Sequence, residues 1–274
     1  MTPPPQPGPH RRRCRTAATL LACCCVAGLA VSRAAEKADK PVKLMARFGA
    51  LLGKVGTSNK DKVNILSGPV PVQMLNDKSP GQVWQAAVGN VKFKITIQDA
   101  TRLRIEDCLE RVQRLPPAYR AILPIVSEGN KAGMACYTNL NGAAAHGSQD
   151  YLNLVPTAGA QVILHEAGHI LEQRVTSARP DTLERWKKAI AEDKVSVSDY
   201  GDQVAHEDLA EFSLVYAVCL EAGGARLAEL QRLSPRRFAQ WADILRTAPT
   251  LPPPPKKAKA ADRPRGKPGS KAGS

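Results

Sequence analysis

The chain reads as an α+β protein, with a small mixed sheet in its first part and a mainly helical C-terminal part. Two patterns point there. From Val91 the residues Val91, Phe93, Ile95 and Ile97 alternate with Lys92, Lys94, Thr96 and Gln98, the period of a half-buried strand. Farther on, the apolar run Ala160 to Leu164 continues through Ile170 and Leu171. Leu209, Phe212, Tyr216, Cys219 and Leu220 then recur at helix spacing. With 274 residues and 43% apolar content, the chain can bury a sizeable core.

At the N-terminus, Arg11, Arg12, Arg13 and Arg15 precede an apolar segment, Thr16 to Val31, that is short for a membrane span. Residues 1–34 therefore read as an export signal cut after Ala34, with an uncleaved anchor as the alternative. The expected location is extracellular or periplasmic. Net charge is +14, but residues 1–34 contribute five arginines and no acid, and residues 252–274 contribute seven basic residues against Asp262. About +3 is left for the body, which argues against nucleic acid as a partner of the folded part. Residues 251–274, rich in proline, lysine, alanine and glycine, read as a disordered basic tail that could attract anionic envelope polymers. Cys108, Cys136 and Cys219 remain after the signal, too few for a disulfide framework, although one bridge is allowed.

Residues 35–90 form a region of unassigned role, with an amphipathic helix over Pro41 to Val55. Short extended segments, Val63 to Leu66 and Val70 to Leu75, flank a turn at Gly68-Pro69. Residues 91–250 carry the remaining elements. The strand from Val91 leads to a helix near Arg104 to Arg114, stopped by Pro116-Pro117, and to a shorter helix over Ala118 to Val126. Met134 to Thr138 is followed by a glycine- and alanine-rich loop near Gly142 to Gly147 and by a strand, Tyr151 to Val155. That strand is either a sheet edge able to hold an extended peptide or an internal strand; its pattern fits both. Thr157 is the expected cap of the next helix, and Asp181-x-x-Glu184 forms a capping box for the one after it. A polar connection from Glu192 to Asp202 leads to a helix from Ala205 to Gly223-Gly224, and helices continue to Arg246.

The chemistry concentrates in His165-Glu166-Ala167-Gly168-His169. On a helix, residues four apart stack on one face, so His165 and His169 offer two imidazoles to one Zn2+, with Glu166 beside them as a base. A catalytic zinc takes a third protein ligand and leaves one position open. The extension seen in astacin-like sites is excluded, because Glu172 and Val175 stand where glycine and histidine would be needed. Cys136 is one candidate. The segment Ser198 to Phe212 is the better source: Glu207 and Glu211 are four apart on a helix, so Glu207 can bind the metal while Glu211 orients a ligand histidine. Solvated acids on a helix face are the other reading of this pair.

Together, His165-Glu166-Ala167-Gly168-His169 and Ser198-x-Tyr200-Gly201-x5-Glu207-x2-Ala210-Glu211-Phe212 resemble the catalytic domain of anthrax lethal factor and the related secreted Pro-Pro endopeptidases. The likeness covers about Val91 to Leu245. It implies a zincin-like fold with an edge strand beside the active-site helix, and a zinc metallopeptidase acting on peptides or proteins. By this resemblance His165, His169 and Glu207 are metal ligands and Glu166 is the base. Tyr200 is the oxyanion donor and Glu211 the supporting acid. His206 stands where members often carry asparagine; it either lines the site or competes for the metal, and lining is the expectation. Two further functions fit the same residues: a non-catalytic envelope-binding protein of zincin fold, and a zinc amidase acting on cell-wall peptides.

Overall fold

A computed structural model describes residues 43–57, 59 and 61–253. The expected export signal and the tail beyond Pro253 lie outside the described residues. Among the described residues there are eight α-helices and one six-stranded sheet, so the chain is a mixed α+β protein. The strands are β1 (Val63–Gln73), β2 (Pro80–Val88), β3 (Val91–Gln98), β4 (Met134–Cys136), β5 (Ala145–Ser148) and β6 (Tyr151–Leu154). Their order across the sheet is β1-β2-β3-β4-β6-β5. The first three form an antiparallel meander; β3, β4 and β6 run parallel; β5 closes the far side antiparallel to β6. Parallel pairing of β3 with β4 needs a crossover, which α2 (Ile105–Gln113) and α3 (Ile122–Gly129) supply.

Register decides what each face carries. Ile97, Cys136, Leu154 and Ala145 form one cross-strand row, and Thr96, Ala135, Asn153 and His146 form the next, pointing to the opposite face. The first face is covered by helices: Ile95, Met134, Leu152 and Leu154 join one core with Ile163, Ala167 and Ile170 of α4 (Ala160–Thr176). A smaller cluster, Met74, Ala132, Ala135, Tyr137 and Leu140, covers the second face. This is why Thr96 and Gln98, polar positions of the β3 alternation, are buried as well. Thr96 Oγ1 donates to the Ala132 carbonyl at 2.7 Å, and Gln98 Oε1 accepts from the Thr138 amide at 2.7 Å.

Several expectations need correction. Val63–Gln73 is one strand rather than two segments around a turn. The missing N–H of Pro69 is tolerated because β1 is an edge, and register shifts between Ile65 and Val70 absorb the irregularity. Strand β2 has no counterpart in the expected elements, because Gln82, Gln85, Ala86 and Ala87 blur its alternation. With it in place, the boundary expected near residue 90 falls inside the β2–β3 hairpin, and residues 63–88 belong to the same sheet as β3. Helix α1 (Leu44–Leu52) buries Leu44 and Phe48 in the same core. The Ala118–Val126 helix is a 3-10 turn over Pro117–Ala121 followed by α3, with Pro124 in its first turn, where no amide is lost to the ladder. Thr157 does not cap α4; Gly159 is the N-cap residue, without a side-chain bond. The Asp181-x-x-Glu184 box does not form either: Asp181 is helical in backbone and pairs with Arg185 at 3.3 Å.

The C-terminal part consists of α5 (Thr182–Asp193), α6 (Ala205–Ala222), α7 (Gly224–Leu233) and α8 (Pro235–Thr247). Gly223 ends α6 at φ 97°, a conformation that favours glycine. Cys108, Cys136 and Cys219 are free and buried, with Cys108 Sγ 3.6 Å from Cys136 Sγ. Among the described residues, no helix is long and apolar enough to cross a membrane.

Candidate metal centre

Helices α4 and α6 lie against each other, and their closest approach is set by Gly168. A Cβ there would stand 2.6 Å from Ala210 Cα, inside contact distance. One turn earlier, Ser213 Oγ donates to the Leu164 carbonyl at 3.0 Å and fixes the axial register. The His165 and His169 side chains of α4 therefore face Glu207 and Glu211 of α6. His165 Nε2 is 3.2 Å from Glu207 Oε2, and His169 Nε2 is 3.5 Å from the same oxygen. One ligand atom from each of His165, His169 and Glu207 lies within 4.8 Å of the others, a group that could hold a metal ion.

The donor chemistry suits a cation. His165 Nδ1 is 3.0 Å from Glu211 Oε1; a carboxylate can only accept, so Nδ1 carries the proton and the Nε2 lone pair turns to Glu207. Glu207 Oε2 is buried and has no hydrogen-bond partner. Lone pairs converging on an orphaned carboxylate oxygen call for positive charge between them. The pKa shifts agree. Burial, reinforced by His165, pushes His169 down to about 4 and leaves its ring neutral at pH 7. Burial presses His165 down too, but the Glu211 hydrogen bond and the charges of Glu166, Glu211 and Glu207 outweigh it and raise the net value. The acids around this point favour a cation.

Glu166 is buried beside the group, in a cleft of about 550 Å³, and burial raises its carboxyl above the usual range. The backbone of Gly147 in β5 stands against it and partly counters that rise. A Cβ on Gly147 would meet Glu166 Oε2 at 2.7 Å, so only glycine permits this approach of strand to helix. Tyr200 is half-exposed, with its ring centroid 6.0 Å from that of His165. Burial and the charge of Glu207 raise its phenol, so it stays an O–H donor. It is positioned by the turn around Ser198, whose Oγ accepts from the Gly201 amide at 2.8 Å, and by Gly201, where a Cβ would stand 3.1 Å from Asp208 Cα on α6.

No family model and no curated protein matches the chain.

His206 lines the cleft with its ring centroid 5.7 Å from that of His169, outside the group whose ligand atoms gather. Cys136, weighed as a third ligand, is buried in β4 against Cys108 and does not join the group. The strand beside the histidine helix is β5, whereas Tyr151–Leu154 is internal, between β4 and β5. Three contributors were not expected from the sequence. Gly147 and His146 sit in a four-residue strand, Ala145–Ser148, at the end of a glycine- and alanine-rich stretch that read as a loop. Asp208 accepts from Trp186 Nε1 at 2.9 Å and from Arg237 at 2.7 Å, all buried, which anchors the first turn of α6 next to Glu207. Its acidic neighbours Glu207 and Glu211 drew the reading to metal ligation and hid this anchoring role.

Proposed function

We propose that the chain is an exported zinc metalloendopeptidase of zincin-like fold, with His165, His169 and Glu207 as the zinc ligands. What carries this reading is the convergence of the His165 and His169 Nε2 atoms on the orphaned Glu207 Oε2, with Glu166 in the same cleft. The resemblance of the two sequence motifs to lethal factor and the Pro-Pro endopeptidases supports it. Zinc held there would supply Lewis acidity, lowering the pKa of a water and polarising a peptide carbonyl.

The protein's own groups do the rest. Glu166, its carboxyl raised by burial, takes a proton from the attacking water and returns it to the leaving amine. Tyr200 O–H donates to the oxyanion as it develops. Glu211 holds the His165 ring in the tautomer that leaves Nε2 free. Strand β5 pairs on one side only, and its other side faces the cleft, so an extended peptide can add to the sheet beside the metal.

Two measurements test this. Purified protein should carry about one zinc per chain by elemental analysis, and a peptide library read by mass spectrometry should show cleavage that a chelator abolishes. Glu166→Gln should keep the zinc and lose turnover by at least two orders of magnitude. Cleavage indifferent to chelator, or a Glu166→Gln protein that still works at the parent rate, would sink the assignment. A chain that binds zinc but cuts no peptide would point to the binding role instead.

A further inference from the structure

A second cavity of about 350 Å³ opens on the face of the sheet away from α4. It touches the metal cleft, because His146 and Tyr151 line both. Its wall is formed by Leu75 and Tyr137, and Asn153 of β6 is part of its lining. Asn153 is only 7% exposed; among the described residues its carboxamide makes no protein hydrogen bond, and it is not one of the fully buried unpaired groups, so what remains accessible of it opens to the cavity. Such an amide offers two donors and an acceptor to a group entering the cavity. The neighbouring Asn130, by contrast, is committed: its Oδ1 accepts from the Ala132 and Gly133 amides at 2.7 and 2.8 Å.

The register connects this cavity to a peptide in the cleft. Successive side chains of a strand added to β5 point to alternate faces. Those alongside Ala145 and Gly147 fall on the α4 face, toward Glu166. The one alongside His146 falls on the face that carries Asn153, since His146 and Asn153 are cross-strand partners. From such a peptide to β6 is two strand spacings, about 9–10 Å, so only a long side chain passing His146 and Tyr151 reaches the Asn153 amide. The group found there is neutral. Asp150 also lines the cavity, but it is exposed and keeps its hydration, whereas the Asn153 amide sits on a largely buried residue and is the less hydrated partner.

Resting on the peptidase reading, we propose that this cavity is a specificity subsite for a glutamine side chain, whose carboxamide pairs with that of Asn153 while its stem lies against Leu75 and Tyr151. Titration calorimetry tests it on the full chain carrying Glu166→Gln, which leaves peptides intact. The ligands are acetylated serine–alanine octapeptides with one glutamine, leucine or lysine moved through the positions. At one position, glutamine should bind about tenfold more tightly than either alternative. Asn153→Leu should erase that preference, and Asn153→Asp, which keeps the side chain's size, should transfer it to lysine. If no position separates glutamine from leucine, if lysine binds best in the parent, or if both variants keep the parent's preference, the proposal is overturned. Chelator-sensitive cleavage by the unsubstituted protein is scored separately. Glutamine peptides bound but never cut would defeat the peptidase reading and leave the subsite, while cleavage without glutamine preference would defeat the subsite alone.

Discussion

Tyr200 and Glu166 approach the candidate metal from opposite sides of the problem, one as a donor that must stay protonated and one as a base that must not be too weak. Burial shifts both upward, which keeps the phenol an O–H and brings the carboxyl nearer neutrality. Because Tyr200 is half-exposed and phenylalanine keeps its ring beside His165, loss of the hydroxyl should act mainly on the chemistry. Tyr200→Phe is expected to lower kcat on the order of a hundredfold with KM and thermal midpoint near parent values, measured by steady-state kinetics and a thermal melt. A fall in KM-linked binding without loss of kcat would assign it to the substrate pocket instead. His165 and His169 were legible in the sequence, since they stand four apart on one helix; Glu207 and Glu211 share that offset, but solvated acids fit it too, and the resemblance rather than the spacing singled out Glu207, Glu211 and Tyr200. Gly147, His146 and Asn153 were not legible, because their roles come from a strand register that links positions with no local pattern.

Elements differ in the same way. The strand from Val91 and the helices α2, α4 and α6 were readable because their periodicity extends over eight or more residues and one face is apolar. β5 has four residues, of which Ala145 and Gly147 are small, so nothing in its sequence separates it from a loop; it is a strand because β6 and α4 hold it there. Both misplaced caps reflect competition: Asp181 spends its carboxylate on Arg185, and the chain enters α4 through Gly159 beyond the reach of Thr157. Within the pair of helices that carry the site, Gly168 matters more than any cap. Gly168→Ala forces a methyl to within 2.6 Å of Ala210 Cα and must push α4 and α6 apart. The expected cost is about 1–3 kcal/mol of stability, read from the denaturant midpoint, together with weaker zinc retention against a chelator. Lost stability with unchanged zinc affinity would show that the helix spacing does not set the site.

For the whole molecule, the candidate ligands stand on two helices that already pack against each other and are each anchored elsewhere as well. α4 belongs to the sheet through Ile163, Ala167 and Ile170, whereas α6 is tied to α5 and α8 through the buried set Trp186, Asp208 and Arg237. Arg237 is fully buried, with Asp208 at 2.7 Å and Asp193 at 3.3 Å, so this network gives the first turn of α6 a fixed footing independent of any metal. A cation joining His165 and His169 to Glu207 would therefore add a tie to a body already folded, and its binding free energy would appear as stability by mass action. At a free zinc concentration about a thousand times its Kd this amounts to about 4 kcal/mol, a rise in Tm of roughly 10 °C for a domain of this size. Glu207→Ala removes a carboxylate whose Oε2 has no hydrogen-bond partner in the structure, so its zinc-free melt should stay close to that of the parent protein. Added zinc should then move the parent by about that amount and the Glu207→Ala protein by far less, in matched differential scanning runs with and without chelator. Equal shifts in both proteins would place the metal elsewhere, and a large drop in the zinc-free Tm of Glu207→Ala would mean that this carboxylate supports the fold rather than a ligand set.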